Sequence, residues 1–212
     1  MKMHNERVLV LAAHPDDGEL GCGGTLVKLI ERGAEVYYVA FSICEESVPE
    51  GFPRDILVTE LRAACGSLNI PIDHLTILRY PVRHFPQYRQ EILEYLVQIR
   101  RELQPSLVLL PAPTDVHQDH QIVCQEGIRA FKHVSILGYE LPWNNLTFTA
   151  SAFVHLEERH LEEKLRALRH YRSQRHRKYW REDLIRGLAR VRGAQAGVDY
   201  AEAFHVVRWV IP

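Results

Sequence analysis

Two short clusters in this 212-residue chain concentrate its ionisable chemistry. Ala13-His14-Pro15-Asp16-Asp17-Gly18-Glu19 follows the apolar run Val8-Leu9-Val10-Leu11-Ala12, and Asp115-Val116-His117-Gln118-Asp119-His120 follows Leu107-Val108-Leu109-Leu110. Imidazoles and carboxylates at the ends of buried strands are costly to desolvate unless they pair or hold a metal. A catalytic zinc site takes three protein ligands from His, Asp or Glu and keeps one position for water. His14, Asp17 and His120 are the expected ligands here. Asp16 is the candidate general base, taking the proton of a metal-activated water. A protonated His117 is expected to stabilise the charge that builds on an attacked amide oxygen and then to protonate the leaving amine. Asp119 is expected to hydrogen-bond a histidine and fix its tautomer. The chemistry this set points to is hydrolysis of an amide by a zinc-dependent or other divalent-metal enzyme.

Singly, each residue has a plainer reading. Asp17 or Asp119 would serve as a helix N-cap, His117 or His120 as a surface or core histidine, and Gly21, Gly23 and Gly24 as turn residues. The weight lies on the joint placement, which depends on the elements that carry the clusters. Apolar strands alternate with helical patterns, as in a doubly wound, mostly parallel α/β sheet with right-handed crossovers. Strands are expected at 7–13, 35–42, 74–78, 106–110, 135–139, 147–155 and 203–210. Helices are expected at about 23–32, 55–68, 88–103 and 119–131, followed by two cationic helices. In the order 3-2-1-4-5, strands one and four are neighbours, and ligands bind in the crevice outside their carboxyl ends. The two clusters, about a hundred residues apart, then meet through topology alone. The loops Glu45 to Asp55, Arg79 to Tyr88 and Tyr139 to Asn145 are expected to form the rim, with Arg54, Arg79 and Arg83 facing a polar substrate.

Composition narrows the class. The hydrophobic fraction of 46% and the charged fraction of 25% are ordinary for a globular domain. No run approaches the roughly 20 apolar residues of a membrane span, and no apolar signal region precedes the first strand. Cys22, Cys44, Cys65 and Cys124 form no C-x-x-C pair, so reduced thiols and a cytoplasmic location are expected. The formal charge is −1, but residues 159–192 carry 12 Lys/Arg against 4 Asp/Glu. Because those cations interleave with Leu161, Leu165, Leu168, Leu184 and Leu188 at helical spacing, a solvated helix face is expected rather than a nucleic-acid surface.

At this point the residues resemble a known family, the LmbE-like or PIG-L zinc-dependent N-deacetylases. Ala13 to Asp17 is similar to its A-H-P-D-D motif, Gly21 to Leu26 to its G-x-G-G-x-L stretch, and His117 to His120 to its H-x-D-H motif. Ser42-Ile43-Cys44-Glu45, Glu60 with Leu68, Lys164 to Gln174 and Tyr200 to Phe204 resemble further family segments. The resemblance implies one Rossmann-like domain over 1–212, with His14, Asp17 and His120 as zinc ligands, Asp16 as base, and His117 and Asp119 assisting. It implies N-acetylglucosaminyl substrates on glycans, lipids or thiol precursors. The expected partners are such a small-molecule or glycan substrate and further copies of the chain, with no nucleic acid. Two departures stand out: Cys44 replaces a glycine, and Leu57 stands where many members carry a substrate-side arginine. Two other readings compete. Gly18-x-x-Gly21-x-Gly23-Gly24, with Glu45 or Glu46 ending strand two, outlines a dinucleotide-binding turn, although Asp16, Asp17 and Glu19 crowd the place of a pyrophosphate. A non-catalytic metal-binding module is the other.

Overall fold

A computed structural model describes residues 6–211. Its strands are β1 (Arg7–Ala12), β2 (Glu35–Ala40), β3 (Leu75–Ile77), β4 (Leu107–Pro111), β5 (Ser135–Tyr139), β6 (Ala152–Leu156) and β7 (Tyr200–Arg208). Its helices are α1 (Asp17–Glu31), α2 (Ile56–Ser67), α3 (Arg89–Leu103), α4 (Gln118–Ala130), α5 (Glu158–Leu168) and α6 (Glu182–Ala196). The seven strands make one sheet in the order β3-β2-β1-β4-β5-β7-β6. β1 to β5 pair in parallel, and β7 runs antiparallel between β5 and β6. The expected 3-2-1-4-5 order is present, extended by an antiparallel pair.

β1 shows why this sequence builds a central strand. Side chains of a strand alternate between faces, so a strand covered on both sides reads as continuously apolar. Val8, Val10 and Ala12 enter the core shared with α1, α2, α5 and α6, while Leu9, Leu11 and Ala13 enter the core shared with α3 and α4. Nothing polar interrupts the strand until His14, where the sheet ends and the crevice begins.

Helix α1 departs from expectation. It starts at Asp17, not near Gly23, so the glycine-rich stretch lies inside the helix. A Cβ on Gly21 would lie 2.3 Å from the Tyr139 ring and one on Gly18 would lie 2.7 Å from the Tyr38 ring, so the bare backbone packs directly on two aromatic rings. The helix kinks at Cys22 (φ −145°, ψ 18°). The groups freed at this kink find new partners. Lys164 Nζ donates to the Leu20 carbonyl at 2.7 Å, and Glu202 accepts the N–H groups of Gly24 and Thr25 at 3.1 and 2.7 Å. Lys164 and Glu202 pair with each other at 2.6 Å, both buried.

That pairing accounts for a second difference. β7 begins at Tyr200 rather than Ala203, because Glu202, polar in sequence, faces the kink of α1 rather than solvent. β6 spans Ala152–Leu156, shorter than expected. In α6 the buried positions are Ile185, Ala189 and Gly193, whereas Leu184 is exposed. The cations of the basic stretch largely pair with carboxylates: Arg159 with Glu31 and Glu157, Arg186 with Glu158, Glu162 and Glu182, and Arg192 with Glu140. Among the described residues no helix is long and apolar enough to cross a membrane.

Candidate active site

The loops after β1 and β4 meet at the carboxyl end of the sheet, since their strands are direct neighbours. His14 comes from the first and His120 from the first turn of α4; Asp17 opens α1 and accepts the His14 N–H at 2.7 Å. His14 Nδ1 lies 3.0 Å from His120 Nε2, His120 Nε2 lies 3.3 Å from Asp17 Oδ2, and His14 Nδ1 lies 3.6 Å from Asp17 Oδ2.

The outer nitrogens of both imidazoles are held by carboxylates. His14 Nε2 faces Asp119 Oδ2 at 3.1 Å, and His120 Nδ1 faces Asp115 Oδ2 at 2.7 Å. The network therefore assigns the ring protons to those outer nitrogens. Two imidazole lone pairs and a carboxylate oxygen are left converging on one point. The chemistry of this donor set fits a divalent cation, and so does its size. Tetrahedral coordination with bonds of about 2.0–2.1 Å separates ligand atoms by roughly 3.3 Å. His117 can also bring a ring nitrogen within 4.8 Å of those of His14 and His120, so these three histidines form a group that could hold a metal. The triangle through Asp17 is the tighter of the two. Burial pushes the Asp17 carboxyl up to about 8 against the attraction of His14, so a cation beside it would supply the missing compensation.

Asp16 sits at the N-cap of α1, yet its side chain makes no capping hydrogen bond and lines the cleft. Burial raises its carboxyl above the usual range, opposed by His14 and Arg177. Asp119 behaves differently. Burial works against its charge, but hydrogen bonds from His14 and from the Arg83 N–H (2.6 Å) hold it below the usual range. These bonds also fasten the loop after β3 onto the site.

His117 is the N-cap of α4, and its Nδ1 accepts the Asp119 N–H at 3.2 Å. Burial, together with His14 and His120 nearby, lowers its pKa to about 4. The imidazole is thus neutral with its proton on Nε2, not the protonated form expected from sequence. A lone pair spent on the backbone and two neighbouring imidazoles disfavour a second proton.

Asp115, which the sequence reading left without a role, is fully buried and serves three partners: His120, the His117 N–H at 2.8 Å and Asn144 Nδ2 at 3.4 Å. Its signal was its place at the head of the second cluster. Of the expected rim arginines, Arg79 pairs with Glu45 at 2.7 Å and Arg83 with Glu46 at 3.4 Å; neither these nor Arg54 lines the cleft. Its outer wall instead carries Trp143, stacked on Tyr179 at 4.2 Å between ring centroids, with Gln174 and Arg177. The glycines offer no phosphate cradle, because Gly18 and Gly21 abut tyrosine rings and Asp17 occupies the helix start.

Fold and site together define an α/β protein with a His/Asp cluster at its topological switch point. The chain belongs to the PIG-L family (GlcNAc-PI de-N-acetylase), whose family model matches residues 9–131. It is similar to the diacetylchitobiose deacetylase of Thermococcus kodakarensis, with 26% identity covering 95% of this chain and 83% of that protein. The crystal structure of the N,N'-diacetylchitobiose deacetylase from Pyrococcus horikoshii superposes with a TM-score of 0.79 and 25% identity, covering 95% and 84% of the two chains. A 4-carboxy-2-hydroxymuconate hydratase, GalB of Pseudomonas putida, shares the fold alone (TM-score 0.80, 19% identity, 98% of each chain).

Proposed function

We propose that this chain, 1–212, is a single deacetylase domain that hydrolyses the acetamide of an N-acetylated amino sugar with the help of a divalent metal, zinc in the first instance. The observation that carries this reading is the convergence of His14 Nδ1, Asp17 Oδ2 and His120 Nε2 within 3.0–3.6 Å beside Asp16 and His117. Family membership and the diacetylchitobiose relatives support the N-acetyl sugar.

His14, Asp17 and His120 would hold the metal, with Asp119 and Asp115 orienting the two imidazoles. The chemistry a divalent cation supplies when bound there is acidification of a water and polarisation of the acyl oxygen. Asp16, uncommitted to a cap, takes the proton of the attacking water. Its raised affinity for protons suits a base that must later give the proton up to the departing amine. His117, neutral, donates from Nε2 to the negative charge growing on the acyl oxygen. Asp119, held below the usual carboxylate range, keeps its charge, and it and Asp115 hold the ring tautomers of His14 and His120. Trp143 and Tyr179 offer a flat apolar wall for a sugar ring.

The test is acetate release from N-acetylglucosamine and diacetylchitobiose by the purified chain. Turnover should stop on chelation and return with added zinc. Release that persists after exhaustive chelation removes the metal from the reading, and no release from any N-acetyl sugar with metal bound leaves a non-catalytic metal-binding module.

A further inference from the structure

Arg177 is the one lysine or arginine lining the cleft among the described residues. It forms no ion pair with any described residue, although most arginines of the basic stretch do. Its backbone is pinned on both sides, its N–H donating to the Gln174 carbonyl at 3.0 Å and its carbonyl accepting from Trp180 at 3.0 Å. Its side chain is held by a relay: Arg177 Nε donates to Gln174 Oε1 at 3.1 Å, Gln174 Nε2 to Ser173 Oγ at 3.0 Å, and Ser173 Oγ to Glu60 Oε2 at 2.6 Å. The Ser173 N–H also donates to Glu60 Oε1 at 2.9 Å. Glu60, Ser173 and Gln174 are buried, and none of the mechanistic steps uses them. The relay holds Nε and, among the described residues, leaves the two terminal nitrogens of the guanidinium without a protein acceptor. Arg172, Arg175 and Lys178, exposed on the same loop, also lack carboxylate partners among the described residues.

From this we infer that Arg177 is a specificity-determining residue that binds an anionic group, phosphate or carboxylate, carried by the N-acetyl sugar conjugate. The physical grounds are twofold. A guanidinium fixed by a buried relay has already lost the rotamer freedom that binding would otherwise cost, and its fork matches an oxyanion. The cleft floor is acidic at Asp16 and Asp17, so a lone cation on the wall sorts substrates by where their negative charge lies. The inference rests on the deacetylase reading for the identity of the sugar, not for the anion site.

Three probes test it: N-acetylglucosamine, its 1-phosphate, and its glycolate (carboxymethyl) glycoside, assayed for acetate release with zinc present. Arg177→Ala should lower the anionic-to-neutral ratio of kcat/KM by roughly 10- to 100-fold, mainly through KM. Arg177→Lys should retain part of the ratio, and Gln174→Leu should lower it less than Arg177→Ala does. The phosphate and glycolate arms tell the two anions apart. Calorimetric binding of glucosamine 1-phosphate against glucosamine, neither of which turns over, should show the same loss. The assignment is overturned if Arg177→Ala lowers anionic and neutral probes equally, if the wild type does not discriminate them, or if glucosamine 1-phosphate binds no more tightly than glucosamine. Should no probe release acetate, the deacetylase reading fails while the calorimetry still decides Arg177.

Discussion

Asp16 and Asp17 are adjacent in sequence, and the proposed mechanism gives them different duties because their surroundings differ. Asp17 is tied to the His14 N–H and points into the His14–His120 pair, whereas Asp16 stands at a helix start without capping it. Asp16→Ala should therefore cut kcat by roughly 10²–10⁴-fold, while bound metal, read by elemental analysis, stays stoichiometric. Loss of the metal with the carboxylate would instead make Asp16 a ligand. Asp115→Asn keeps the shape of the side chain but weakens its hold on His120. Metal affinity, measured by competition with a chromogenic chelator, should drop about 10- to 100-fold. The gathering of His14, Asp16, Asp17, His117, Asp119 and His120 at one end of the sheet was legible because each lies in the loop or first helical turn that follows β1 or β4, and those strands are neighbours. Asp115 and Arg177 were not legible in this way. The duty of Asp115 depends on a partner five residues on in α4, and Arg177 was hidden among cations that pattern with leucines as a helix face. The neutral state of His117 was out of reach too, because it arises from neighbours that only folding supplies.

Among the elements, α1 shows how the proposed ligand Asp17 is placed. Its first turns carry Asp17 and its later turns pack on α5, with the bend at Cys22 between them. The Lys164–Glu202 pair takes the place of the backbone bonds lost at that bend. Lys164→Met strips Glu202 of its countercharge in a buried setting. Urea unfolding should show a loss of about 3–5 kcal/mol, and a loss below about 1 kcal/mol would make the pair dispensable. Sequence patterning located the strand cores and most helices, because hydrophobic period reports burial directly. It misplaced the start of α1, where four glycines read as a turn. In fact Gly18 and Gly21 let a helix lie against Tyr38 and Tyr139. Glu202 misled for a related reason: a buried charge satisfied by a distant lysine looks like a strand boundary until its partner is known.

At the level of the whole molecule, the family match ends at residue 131 but the structure does not divide there. Tyr171 donates to Glu19 at 2.8 Å, Tyr139 donates to the Leu11 carbonyl at 3.0 Å, and β5 covers β4. A chain ended after Phe131 should give no cooperative thermal transition, since it lacks β5 to β7 and the groups that satisfy α1. A sharp, reversible melt of that fragment would show instead an autonomous amino-terminal unit. The doubly wound order was readable because strand–helix alternation and handedness leave few arrangements; the antiparallel β6 and β7 follow no such rule. The two flanks of the cleft are encoded far apart: the proposed catalytic groups before residue 121, and the aromatic and cationic wall after residue 142. Divergence in the later stretch can retune which conjugate is accepted while the hydrolytic apparatus stays intact, so selectivity and reactivity are free to evolve on separate clocks.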